Sequence, residues 1–352
     1  MFLLYGATGF VGEVMARAAV ASGLRPILAG RNSEALAHQA TALGLESRVF
    51  SLDDAAAVDR ALAGVTVVLN CAGPFVHTFR PMANACVRTG AHYLDITGEI
   101  PVYEGLAALD ADAVAQRVML LPGVGFDVVP TDCLALHLKQ RLPSATHLTL
   151  AFRTQGPGGL PPGTQRTMIE LIPYGNRVRR DGLLVVPERG VKTRAIDFGQ
   201  GSVIATRLTW GDVFMAYHTT GIPNIEDYVV VPESTRRQLA KMDYLRPLFK
   251  LAFMRNLLKR GVKPGPDADR RAKTMTHVWG EVTDDQGRRV TARLHGPEAG
   301  VVWTTQTALA AVRKVLGGTL VPGFQTPARV YGADFVLEGE GVTREDAVDD
   351  CR

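Results

Sequence analysis

The sequence predicts an α/β protein: a doubly wound parallel sheet first, then an α+β domain built on a mainly antiparallel sheet. Three observations carry that expectation. Short β-branched runs alternate with Ala- and Leu-rich stretches through the first third of the chain, and neighbouring parallel strands need such helices for their right-handed crossovers. The first of these runs leads directly into a glycine-spaced turn and a helix. After about Leu142 the pattern changes to period-two alternation broken by Gly and Pro, as antiparallel strands require.

Taken in order, strands are expected at residues 2–5, 25–29, 47–50, 65–70, 92–95 and 117–121. Helices are expected between them at 11–21, 34–43 and 55–63, where apolar residues recur at helical spacing. Six such strands make the doubly wound sheet. In the second part, alternation over 146–153 enters a Gly/Pro loop at 156–163, and a helix is expected over 167–178. Strands follow near 183–187, 191–198, 202–209 and 228–231, and 276–283 with 289–295 reads as a hairpin around Asp284-Asp285-Gln286-Gly287. A last helix, 304–316, has Thr305, Ala308, Leu309, Val312 and Leu316 on one face and is expected to return to the first domain. A chain of 352 residues exceeds one usual core. The expected division is 1–128, joined by roughly 304–352, and 129–303.

With 46% hydrophobic and 21% charged residues, the composition is that of a soluble globular protein. No run of about 18 apolar residues occurs, so no transmembrane segment is expected. Met1-Phe2-Leu3-Leu4-Tyr5 lacks a basic stretch and a cleavage site, so no signal peptide is expected either. Cys71, Cys86, Cys133 and Cys351 form no CxxC pair and have no His cluster beside them. Neither a metal site nor a disulfide framework is expected, and a cytoplasmic setting fits.

The turn after the first strand is Gly6-Ala7-Thr8-Gly9-Phe10-Val11-Gly12. Gly6 permits the tight turn, Gly9 lets a pyrophosphate approach the backbone, and Gly12 allows helix and strand to pack closely, while the helix N-terminus attracts the anion. In this position, between a strand and a helix, the spacing marks a Rossmann dinucleotide-binding domain. At the end of the second strand, where an acid would hold a free ribose 2′-hydroxyl, stand Arg31 and Asn32. Arginine pairs with a 2′-phosphate and stacks on adenine, so NADP(H) is the expected cofactor.

Further candidates follow the other strands, at the carboxyl edge where open α/β sheets bind ligands. Asp53 is placed to reach the adenine amino group or to cap a helix. Cys71-Ala72-Gly73-Pro74 is small enough for the cofactor to run along its backbone, or it is a simple turn. Asp95 and Glu99 bring two carboxylates toward the expected nicotinamide, although Asp95 also suits a turn cap and Glu99 a helix start. Gly125 and Phe126 are expected to flank the nicotinamide. Asp127 is the first candidate for orienting substrate or relaying a proton, followed by Tyr93, Asp95 and His77. Asp132 suits the dipole of the helix that Pro130 opens. No tyrosine is followed by lysine four residues later and no nucleophile elbow occurs, which sets aside Tyr-xxx-Lys dehydrogenases and Ser-His-Asp hydrolases.

Residues 6–12, 29–31, 70–75, 93–99 and 125–132, with Val278-Trp279-Gly280-Glu281-Val282 and Gly323-Phe324-Gln325-Thr326-Pro327, resemble the saccharopine-dehydrogenase-like oxidoreductases. That group includes trans-acting enoyl reductases. The resemblance covers nearly the whole chain. It implies an NADP-binding Rossmann domain and an α+β domain that shapes the substrate pocket and mediates a homodimer. The extended set of basic residues of true saccharopine dehydrogenases has no counterpart that can be placed here, so saccharopine is not the expected substrate. The expected activity is hydride transfer to an activated C=C or C=N bond of a small or acyl substrate. A non-catalytic NADP sensor and a lipid-associated protein at a membrane surface are the alternatives.

Between 235 and 273 basic residues outnumber acids, interleaved with Met242, Tyr244, Leu245, Leu248, Leu251, Phe253, Leu257 and Leu258. The favoured reading is a helix packed on the core with a solvated basic face. The other is a lid over an apolar substrate, its charge serving a carrier or membrane phosphate. Nucleic acid is not an expected partner, because the net charge is only +4 and no recognition module accompanies it.

Overall fold

The computed structural model describes residues 1–188 and 190–346, with the side chains of residues 240–244 excepted. Met242, Tyr244, Cys351 and the 347–352 end of the expected return therefore lie outside the described residues. The first part contains β1 (Phe2–Tyr5), α1 (Phe10–Ala21), β2 (Ile27–Gly30), α2 (Ser33–Leu43), β3 (Ser47–Val49) and α3 (Ala55–Ala61). It continues through β4 (Val67–Asn70), α4 (Phe79–Thr89), β5 (His92–Asp95), α5 (Ile100–Ala107), α6 (Asp110–Ala115), β6 (Met119–Leu121) and α7 (Val129–Arg141). Next come β7 (His147–Gln155), α8 (Pro162–Leu171), β8 (Val178–Arg180), β9 (Leu183–Val185), β10 (Thr193–Asp197), β11 (Ser202–Arg207), α9 (Asp212–Thr220) and β12 (Asn224–Val229). The rest comprises α10 (Glu233–Leu245), α11 (Ala252–Lys259), α12 (Ala268–Ala272), β13 (Met275–Thr283), β14 (Arg289–Pro297), α13 (Thr304–Leu316), β15 (Gly323–Phe324), α14 (Pro327–Tyr331) and β16 (Thr343–Asp346).

Seven parallel strands form the first sheet, in the order β15-β6-β5-β4-β1-β2-β3. The chain winds outward from β1 to β3, then crosses back to β4, so winding reverses between β1 and β4 and opens a crevice at their carboxyl ends. Both faces are covered. Leu4, Leu28, Leu69 and Leu94 belong to one apolar cluster, together with Met15 of α1 and Leu309 of α13. Leu3, Ile27, Val68 and Tyr93 alternate to the other, with Val58 of α3 and Met82 of α4. Burial on both sides is why these strands read as unbroken apolar runs. The second sheet is mixed, ordered β10-β11-β12-β7-β13-β14-β16, and only its β12–β7 pair is parallel among the pairings described. The fold class read from the sequence is thus the one observed.

Three details differ from expectation. A seventh parallel strand, β15, pairs Gly323 with Met119 and Phe324 with Leu120; two residues are too few to show a period. The helix expected over 167–178 begins at Pro162 and ends at Leu171. Pro173 and Gly175, the latter at φ +66°, turn the chain so that Val178 starts β8. β12 starts at Asn224 rather than 228, because Glu226 and Asp227 hide a strand signal in the sequence. Arg180, Lys192 and Arg207 neutralise Glu226, holding its carboxyl down at about 2 against the burial that would raise it.

The basic segment is turned the other way round from the favoured reading. Leu245, Leu248, Leu251, Phe253 and Leu257 are exposed, Phe253 to 64%, whereas Phe249 is buried. Arg255 and Lys259 point inward and pair with Glu170 of α8, Arg255 at 2.9 Å. Glu170 is 90% covered and needs counter-charges, so the ion pairs decide which face of α11 turns inward. Among the described residues, no helix is long and apolar enough to cross a membrane.

Candidate functional site

Gly6 has φ +81°, a conformation that L side chains avoid, and a Cβ there would lie 2.8 Å from the Ala72 nitrogen. A Cβ on Gly12 would overlap the Gly6 carbonyl oxygen. The turn is therefore as tight as backbone allows. No side chain caps the N-terminus of α1, and Thr8, Gly9, Phe10 and Val11 line a cleft there. Ala7 and Gly12 lie beneath the turn, outside the lining; the Ala7 carbonyl accepts from Gln39 Nε2 at 3.0 Å.

The cleft measures about 1180 Å³ and runs along the carboxyl edge of the parallel sheet into the second sheet's domain. Its first half holds Gly6, Gly9, Arg31, Asn32, Cys71, Ala72 and Gly73. Asn32 also caps α2, its side chain accepting from Ala35 N at 3.1 Å. Pro74 and Gly125 are not on the wall. A Cβ on Gly125 would meet Thr304 Cγ2 at 3.0 Å, so this glycine serves packing below Phe126. Phe126 and Asp127 do reach the cleft, and beyond them lie Phe152, Leu160, Met168, Leu171, Tyr174 and Trp210.

The four proton-transfer candidates are not brought together. Asp95 is fully buried and accepts from Tyr93 Oη at 2.7 Å, Gly123 N at 2.9 Å and Thr97 N at 3.0 Å. Burial pushes its carboxyl up to about 7. Tyr93, equally buried, also accepts from Asn70 Nδ2 at 3.4 Å. This network pins two loops under the sheet edge, and neither residue opens to the cleft. His77 ends a 3-10 turn with its side chain 64% exposed, outside the lining, and its Nε2 lies 3.9 Å from Glu170. Asp53 is exposed and accepts from Ser51 Oγ at 2.8 Å; the cap of α3 is its neighbour Asp54. Asp95 and Tyr93 are thus held in a buried hydrogen-bond network, and His77 and Asp53 are exposed, all four outside the cleft lining.

Asp127 alone of the four lines the cleft. Burial raises its carboxyl to about 7, moderated by the nearby Trp210 indole and reinforced by the Glu99 charge. The Trp210 Nε1–H is itself buried, and Asp127 is the group it acts on. Nothing in the sequence marked Trp210, which sits in a loop without periodicity. Glu99 accepts from Phe75 N and Val76 N, both at 2.8 Å, and from Thr167 Oγ1 at 3.0 Å. It thereby ties the loop after β4 to α8 across the cleft.

These residues fit a dinucleotide: the glycine turn leaves no side chain between backbone and ligand, and Arg31 lines the same end of the cleft. Residues 2–121 match the saccharopine dehydrogenase NADP binding domain, which bears out the NADP expectation. Over 150 residues, 40% of this chain, it is 37% identical to a trans-acting enoyl reductase from Mycobacterium leprae. Over 149 residues, again 40% of the chain, it is 34% identical to a trans-acting enoyl reductase from Mycobacterium tuberculosis. The chain spans 35% of the length of each of these relatives. Its fold is similar to that of apo saccharopine dehydrogenase (L-Glu forming) from Saccharomyces cerevisiae, with a TM-score of 0.67 over 99% of both chains at 13% identity.

Proposed function

We propose that this chain, whose residues 2–121 are a saccharopine dehydrogenase NADP binding domain, is an NADPH-dependent reductase of an activated double bond in an acyl substrate. The observation that carries this reading is Asp127. A carboxyl held near pH 7 stands where the cofactor half of the cleft meets apolar walls from the second domain. Bound NADPH supplies the hydride. Gly6 and Gly9 keep the backbone open to the pyrophosphate, and Arg31 pairs with the 2′-phosphate. Asp127 in its acid form delivers the proton, and the buried Trp210 Nε1–H beside it donates to the substrate carbonyl as negative charge gathers there. Phe152, Met168, Leu171 and Tyr174 exclude water around the acyl chain. In this reading residues 1–128 and the return from 304 carry the cofactor, while 129–303 shape the substrate half.

The chemistry accommodates C=C or C=N; the apolar walls and the enoyl reductases among its relatives favour C=C. A non-catalytic sensor would need a filled cavity beside Asp127, and the cleft continues past it. The test is NADPH consumption with enoyl thioesters and with imines of graded chain length. Oxidation with an enoyl thioester is expected; tight NADPH binding without turnover of either class would overturn the proposal.

Arg31→Ala should weaken NADPH binding about 10- to 100-fold, the loss of charge-assisted hydrogen bonds to a phosphate. NADH affinity should stay within about twofold, since NADH lacks that phosphate. Calorimetric titration of both cofactors checks the pair, and an equal loss for both would remove Arg31 from the 2′-position.

A further inference from the structure

Residues 245–266 contain six cations, Arg246, Lys250, Arg255, Lys259, Arg260 and Lys263, and no Asp or Glu. Two of the six are committed inward to Glu170. Lys250, Arg260 and Lys263 are exposed, in the same stretch as the exposed Leu248, Leu251, Phe253, Leu257 and Leu258. A surface segment that exposes five large apolar side chains together with three cations and no acid is unlike an ordinary solvated helix surface. It also adjoins the cleft: α11 packs on α8, which supplies Thr167, Met168 and Leu171 to the wall, and Arg246 lies in the lining itself.

We infer that this face docks on an anionic lipid bilayer, with Leu251, Phe253 and Leu257 entering the boundary between headgroups and acyl chains. Charge decides between the candidate occupants. Pairing with a second copy of the same face would bring like positive charges together, a repulsion that an anionic surface converts to attraction. α11, of eight residues, is too short to span a membrane and suits lying in its plane. Docking through this face holds α8, and with it one wall of the cleft, close to the membrane, where a lipid-soluble acyl substrate is concentrated. The inference does not depend on which bond is reduced.

The experiment is flotation of the full-length protein with vesicles of phosphatidylcholine, with and without phosphatidylglycerol. Recovery with the anionic vesicles is expected, falling as salt is raised toward 1 M, where the screening length shrinks to about 3 Å. Lys250→Glu with Arg260→Glu and Lys263→Glu should lower partitioning about a hundredfold, at about fivefold per cation. Leu251→Asp with Phe253→Asp and Leu257→Asp should abolish it. Because all six side chains are exposed, both variants should keep the wild-type melting temperature and NADPH affinity, which separates lost docking from lost folding. A wild-type protein that does not float with anionic vesicles overturns the inference. So does partitioning that neither triple variant alters, or a wild-type dimer that the Asp variant dissociates while vesicles are ignored, which would make a second copy the occupant.

Discussion

Gly12→Ala is expected to lower NADPH affinity by more than about a hundredfold and to reduce the melting temperature with it. The methyl group would overlap the Gly6 carbonyl oxygen and stand 3.0 Å from the Ala7 Cα and carbonyl carbon. All three are backbone atoms in the tight turn, and none can rotate aside. Helix α1 must then lift from β1, and the N–H groups of its first turn lose their common aim at the pyrophosphate. Fluorescence titration of NADPH with a thermal melt reads both effects. An affinity within a few-fold of wild type would detach the glycine turn from cofactor binding.

Asp127→Asn is expected to cut turnover by about a hundredfold or more while leaving NADPH binding intact. The wild-type rate should be level below about pH 6 and fall above pH 7, because the proton donor is the protonated acid and burial sets its pKa at about 7. The Asn variant should lack that limb. Stability follows the same direction with pH. A carboxyl whose folded pKa is raised from 3.8 to about 7 adds stability that is fully present below pH 3.8 and is lost as pH rises through 7. At pH 8 the wild type holds an ionised, desolvated group that the variant lacks. The variant should therefore melt at or above the wild-type temperature there, and lose that advantage at pH 4. An inactive protein that is no less stable distinguishes lost chemistry from lost fold; unchanged turnover would remove Asp127 from the mechanism.

Features dictated by neighbouring residues were legible in the sequence. The Gly6–Gly9–Gly12 spacing, Arg31 at the end of β2, the Asp284–Gly287 hairpin turn and the apolar face of α13 are each signalled by residues a few positions apart. What escaped depends on distant partners. Glu226 and Asp227 mask β12 until Arg180, Lys192 and Arg207 arrive from other strands to neutralise Glu226. Asp95 stands at the right strand end for a catalytic acid, but Gly123 N, from the next strand's loop, turns it into a structural anchor. The orientation of α11 could not be read from its own amphipathic pattern, because Glu170 on α8 selects the cationic side. Trp210 belongs to the same class: its exposure to the cleft follows from how the second sheet meets the first.

β15 has a consequence for how the protein is made. The strand that covers the outer edge of β6 is synthesised about two hundred residues after it. At translation speeds of about 5–20 residues per second, that edge waits about 10–40 s on the ribosome with its backbone groups unpaired. A nascent sheet in this condition is a template for strand addition by other chains, so yield should depend on chaperone supply during synthesis. A fragment ending at Leu121 would retain that bare edge indefinitely. The unit to carry into a chimaera or a crystallisation screen is the one that keeps α13 and β15 attached.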